Sequence, residues 1–361
     1  MSSKLAYCPN LDSILSRLKI FYEERSQDII LAKMAPPNQT LLDFASKHNE
    51  GPCGYPNIGE RILFWDNYLK ERAKIHDDSI PSAFLTELDQ GLYGGVLGGD
   101  VRFMCNPKTG HISSMVPPLL ETWSEFDKLS FRTDSDWFHR YTEQMDIFVK
   151  HAEGKFGISH FILINGLNFV FELIGATQTY LDLQERPDMI YRAFEMAFEI
   201  NTKIHKTFFE KVPLVDGGTF SNFAQWIPGR VISESLDPFH MTSVEYFEKW
   251  GREPAERIFS CFDGGIIHIH GNGRHLLEAA VTLRGLKAIF LADDTPPPPF
   301  EVLSEIKKKT GSIPLICPVE FSEFYKKLKK NQIIGGVMYI INNVPDVETA
   351  NRYMDIIRDR R

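Results

Sequence analysis

The sequence predicts an α/β protein built on a closed (β/α)8 barrel (a TIM barrel) with a helical extension at its N-terminus. Three observations carry that prediction. In the second half of the chain, short apolar runs alternate four times with amphipathic stretches of helical period. The runs are near-continuous in apolar residues, which marks parallel strands buried on both faces. Each run ends in polar groups, as barrel strands do where they deliver side chains to a mouth.

The four units are easily traced. "GGIIHIHG" precedes "RHLLEAAVTL", and "LKAIFLADD" precedes "PFEVLSEIKKKTG". "SIPLICPVE" precedes "FSEFYKKLKK", and "IGGVMYIINN" precedes "VETANRYMDIIRDR". Crossovers this regular fit an open doubly wound sheet or a closed barrel. The first half is less regular but supplies further strands. "SHFILING" and "VPLVDGGTFS" flank a long helical region, and "DDSIPSAF" and "GGDVRFM" extend the count upstream. "SVEYFEKWGREPAERIFSCF" has helical period, with Thr242 or Ser243 as N-cap and Glu245 completing a partial capping box. We assign residues 1–60 to the helical extension and 61–361 to the barrel.

Composition narrows the function. The chain has 361 residues, 43% hydrophobic and 24% charged, enough for a large core. A net charge of −8 argues against a nucleic-acid footprint, because its lysine runs (Lys307–Lys309, Lys326–Lys330) fall on helix faces. Five cysteines with no CxxC pair indicate free thiols in a reducing compartment. No apolar run reaches the ~18 residues of a membrane span, and the N-terminus lacks the pattern of a secretory signal. The expected location is the cytoplasm, and the expected partner is a small-molecule substrate.

The polar residues ending the late strands are the candidate site. They are Asp216, His268 and His270, Asp293 and Asp294, Cys317 and Glu320, and Asn342 and Asn343. His268 and His270 are two apart in a strand and therefore share a face. Two imidazoles suit zinc or another divalent metal, with Asp293, Asp294, Cys317 or Glu320 as third ligand. Without a metal, the same histidines would hydrogen-bond neighbouring strand-end groups or bind substrate directly. Of the adjacent carboxylates, Asp293 is expected inward, as ligand or general base. Arg274, at a helix start, suits an anionic substrate group, and Trp226, Phe223 and Tyr339 suit apolar walls.

The order of several loose motifs also resembles the uroporphyrinogen decarboxylase superfamily, which includes cobalamin-linked zinc methyltransferases. The resemblance runs through "HDDSIPSAFLTELDQGLYGGVLGGDVRF", "MVPPLLETWSEFDKL", "SESLDPFHMTSVEYFEKWGREPAERI", "GIIHIHGNG" and "VPDVETANRYMDII", from about Asp77 to Arg358. It implies a barrel, a catalytic Asp at Asp78 or its neighbour Asp77, and substrate-facing roles for Asp237 and His240. It also implies metal-assisted methyl transfer with a partner corrinoid protein, or decarboxylation of a tetrapyrrole or other acidic molecule, and makes a homodimer reasonable. Two departures stand out. No arginine-rich loop precedes Arg61, as the decarboxylases require. The family's His-x-Cys is His268-x-His270 here, and the last strand ends in Asn342-Asn343 where the methyltransferases place a Cys. A third reading is a non-catalytic barrel that only binds a small molecule.

Overall fold

The late parallel strands form where apolar runs are short and preceded by glycine. The computed structural model describes residues 4–85, 88–292 and 294–359. Its strands in chain order are β1 (Ile30–Met34), β2 (Gly51–Cys53), β3 (Ser82–Phe84), β4 (Arg102–Asn106), β5 (His111–Met115), β6 (Gly157–His160) and β7 (Gly218–Ser221). They continue with β8 (Ile227–Pro228), β9 (Ile232–Ser235), β10 (Gly265–Ile269), β11 (Leu286–Leu291), β12 (Leu315–Glu320) and β13 (Val337–Asn342). The four late runs of the sequence are β10 to β13, each followed by a helix.

A six-stranded parallel sheet runs β1-β13-β12-β11-β10-β9, and a four-stranded sheet runs β3-β6-β7-β8. They meet at two seams. Ile162 bridges Ser233 in parallel fashion, and the Asp78 amide donates to the Ala32 carbonyl at 2.9 Å. Among the described residues, no continuous ladder closes these strands into one cylinder. "GGDVRFM" instead forms β4, which joins β2 and β5 in a separate antiparallel sheet.

The segment expected to be a helical extension contributes β1, which pairs with β13 along five residues. Its apolar run, "IILAKMA", is interrupted by Lys33 and therefore does not read as a buried strand. The helix Leu11–Tyr22 precedes it.

Strand alternation divides the apolar side chains into two cores. Leu31, Ile80, Ile162, Phe220, Ile266, Ala288, Ile316 and Met338 pack inward together, with Leu11, Leu15 and Leu18 of the N-terminal helix against them. The intervening residues, including Ala32, Ile267, Ile289, Leu315, Cys317 and Tyr339, pack outward against the helices. The register Leu31–Met338–Ile316–Phe290–His268–Ser235 therefore defines one inward-facing row across six strands. Its last polar members begin the candidate site.

Candidate functional site

His268 is the penultimate residue of β10, and His270 is the first residue after it. Their rings converge at a centroid distance of 4.8 Å, with the two Nε2 atoms 3.0 Å apart. The turn Asp237–Met241, which follows β9, brings in Asp237 and His240. Asp237 Oδ1 lies 2.9 Å from His268 Nε2, 3.3 Å from His270 Nε2 and 3.7 Å from His240 Nδ1. On the far side of His270, Nδ1 hydrogen-bonds the Asp294 carboxylate.

The glycines of "HGNG" explain how these rings can come so close. A Cβ at Gly273 would lie 2.1 Å from His240 Cδ2, and one at Gly271 would lie 2.6 Å from the Thr295 carbonyl oxygen. Both positions need close approach rather than unusual backbone angles. Beneath the cluster, Phe223 stacks on Phe290 at 5.2 Å and meets the His268 ring at 4.8 Å, which excludes water from that side.

The charges respond to this geometry. Burial alone would raise the Asp237 carboxyl, but its hydrogen bonds to His268 and His270 outweigh burial and hold it well below the usual carboxylate range. The bond to Asp237 raises His270 to about 9; burial opposes the shift and Asp294 adds to it. Burial pushes His240 down to about 4. His240 Nε2 and His268 Nδ1 are buried and, among the described residues, have no hydrogen-bond partner.

The donor set is suited to a divalent metal. Bonds of about 2.0–2.1 Å to nitrogen give tetrahedral edges of roughly 3.3 Å. The Asp237, His268 and His270 atoms form a triangle with sides of 2.9, 3.0 and 3.3 Å. A second set, Asp237, His240 and His270, has its donor atoms all within 4.8 Å of one another. Asp237 and His270 are common to both. The carboxylate behind His270 Nδ1 fixes the ring in the way that outer partners of metal-bound imidazoles do.

The other residues singled out in the sequence are distributed elsewhere. Asp78 is fully buried and takes no part in the cluster: Arg17, Arg358 and the Ala32 amide occupy its carboxylate. Cys317 is removed from the mouth by strand alternation. Its neighbours Ile316 and Pro318 point inward, whereas Cys317 packs outward beside Tyr339, so neither forms part of the mouth. Trp226 is fully buried in the inner core and donates to the Val215 carbonyl at 2.7 Å, which leaves no face for a substrate. Asn343 donates to Glu320 at 2.7 Å, beside Asn342 at the end of β13. Asp216 occupies a left-handed turn and pairs with Lys19. Arg274 lies in the short helical turn Gly271–Leu276 directly after His270. Asp293 lies outside the described residues; Asp294 is the carboxylate seen to reach His270.

Two groups went unnoticed in the sequence. Glu234, in register with Ile267, faces the outer layer, where it accepts from Asn165 at 3.1 Å; burial raises it to about 8. Lys33 lies on the inward face of β1. A charged residue inside an apolar run was the available signal for Lys33; Glu234, flanked by Ser233 and Ser235, offered none.

No protein-family model matches the chain, and no curated protein does. Among solved structures, the chain is similar to a methyltransferase from Methanosarcina mazei, with 12% identity and a TM-score of 0.61. The alignment covers 96% of this chain and 98% of that one. At such identity the likeness is one of fold, and it supports a mainly parallel, TIM-like α/β architecture. Among the described residues, no helix is long and apolar enough to cross a membrane.

Proposed function

We propose that this chain is a metal-dependent methyl-transfer enzyme with a barrel of the uroporphyrinogen decarboxylase type, working on a small methylated substrate or a partner corrinoid protein. One observation carries the reading: three potential ligand atoms from β10 and the loop after β9 lie within 3.3 Å of one another. Methyl transfer comes first because it is the activity named for the protein that this chain resembles in fold.

In this reading Asp237 and His270 hold a zinc or other divalent ion, with His268 or His240 as the third ligand. Bound there, the ion supplies Lewis-acid polarisation of a methyl donor or acceptor. Asp294 orients His270 by accepting its Nδ1–H, which leaves Nε2 as the ligand atom toward Asp237. Phe223 keeps water from the His268 side, and the exposed edge of Asp237 leaves an approach for substrate.

A second reading has its own observation. The 3.0 Å Nε2–Nε2 contact is also a hydrogen bond that needs no ion, and Asp237 and Asp294 flank a cationic His270. That arrangement suits metal-free proton transfer to an acidic substrate, as in a decarboxylation.

Elemental analysis of the purified protein beside a His268→Ala/His270→Ala variant separates the two. The metal reading expects near-stoichiometric divalent metal in the parent and none in the variant. A folded parent without metal, unable to take up added zinc, overturns it and moves acidic substrates to the front.

A further inference from the structure

We propose that a second, separate site binds a small carboxylate of one to three carbons inside the fold, with Lys33 as its counter-charge. The argument starts from strand alternation. Leu31 faces the inner core and Ala32 the outer one, so Lys33 faces inward, in register with Ile340 and Pro318. It stands one inward step beyond Leu31, toward the C-terminal end of β1.

Lys33 lines a small, partly open cavity of about 70 Å³, together with Trp65, Tyr68, Ser82, Thr109 and Gln225. A water molecule takes about 30 Å³ of liquid volume, so the space suits a molecule of a few heavy atoms. The walls combine aromatic rings with hydroxyl and amide groups, as sites for small polar ligands do.

Among the described residues, the Lys33 ammonium makes no hydrogen bond and no ion pair, and the Gln225 carboxamide is likewise without a partner. The carboxylate that acts on Lys33, Asp77, is already engaged. It accepts from the Met34 amide, from Arg72 and from both the amide and hydroxyl of Ser79. Arg72 in turn is taken up by Asp77, Ser79 and the Met34 carbonyl. One positive charge at the cavity wall is therefore left over. A half-buried ammonium with no partner is partly desolvated without compensation, and a small anion would neutralise it while bonding to Gln225 and the hydroxyls. Independently, burial and then the Arg72 charge push Lys33 down to about 7, and a bound anion would reverse both effects.

The site is distinct from the histidine cluster, and one loop supplies a residue to each. Gln225 borders the cavity, and Phe223, two residues earlier in the same loop, meets the His268 ring at a tilt.

Sodium formate and acetate, titrated at constant ionic strength and followed by thermal unfolding and calorimetry, test the proposal, with chloride and benzoate as controls. Formate and acetate are expected to raise the melting temperature saturably. Chloride has no carboxylate oxygens to span Lys33 and the Gln225 and hydroxyl groups, benzoate exceeds the cavity, and neither should act. The response should disappear in Lys33→Met and persist in His268→Ala/His270→Ala, which separates this site from the metal reading. Should Lys33→Met fail to fold, size selection among the anions in the parent and the histidine variant decides. A response equal for all four salts, none at all, or one retained by Lys33→Met overturns it.

Discussion

Two assemblies of buried or half-buried carboxylates can be set side by side, and they differ in what surrounds the acid. Around Asp77 and Asp78, permanent cations and backbone amides occupy the carboxylates: Arg72 and the Met34 amide on one, Arg17, Arg358 and the Ala32 amide on the other. Around Asp237 the partners are imidazoles, and among the described residues His240 Nε2 and His268 Nδ1 remain unused. Guanidinium groups do not release protons in a protein, so the first assembly is an electrostatic clamp joining the N-terminal helix, β1, β3 and the last helix. Imidazoles exchange protons and accept metals near neutral pH. A saturated carboxylate holds the fold together, whereas a carboxylate among titratable, incompletely bonded groups is poised for chemistry.

The largest expected effect breaks this contrast directly. Asp78→Asn leaves two guanidinium groups facing a neutral side chain, and should cost about 3–5 kcal/mol of stability. Asp237→Asn, at a half-exposed carboxylate, should change stability by no more than ~1 kcal/mol while removing metal binding or turnover. Urea unfolding of both variants compares them, and a reversed order would undo the distinction. A smaller effect concerns Glu234, raised to about 8 by burial. The folded state then holds a proton that the unfolded chain releases near pH 4.5, so this group lowers stability as pH rises from about 4.5 to 8. Glu234→Gln should remove that slope, giving a gain on the order of 2–4 kcal/mol at pH 9 and almost none at pH 4. An unchanged slope in pH-dependent unfolding would count against a neutral Glu234. The smallest effect is expected for Cys317→Ala, which empties part of the outer core at a cost of about 1 kcal/mol and leaves the metal content as in the parent. Loss of metal there would return Cys317 to the ligand set.

Much of the sheet was legible from local pattern. The runs containing β10 to β13 are continuous enough that only a parallel strand covered on both faces accommodates them. β1 was not, because Lys33 interrupts its apolar run and strand burial depends on neighbours the run does not name. The pair His268 and His270 was visible from spacing alone, whereas its convergence with Asp237 and His240, some thirty residues earlier, depends on where β9 ends beside β10.

What the sequence by itself determined, then, is the alternation of strands and helices, the polar endings of the late strands and a surface without a basic footprint. These follow from short-range periodicity and composition. Tertiary structure alone decided which of those endings meet. Cys317 turns outward because side chains alternate along a strand, and the single step from Ile316 reverses its face. Asp78 becomes a clamp because two distant helices deliver arginines to it. Lys33 acquires a cavity because helix, hairpin and loop close around it. In each case the side chain's chemistry was written locally, but its role depended on partners brought together by long-range packing.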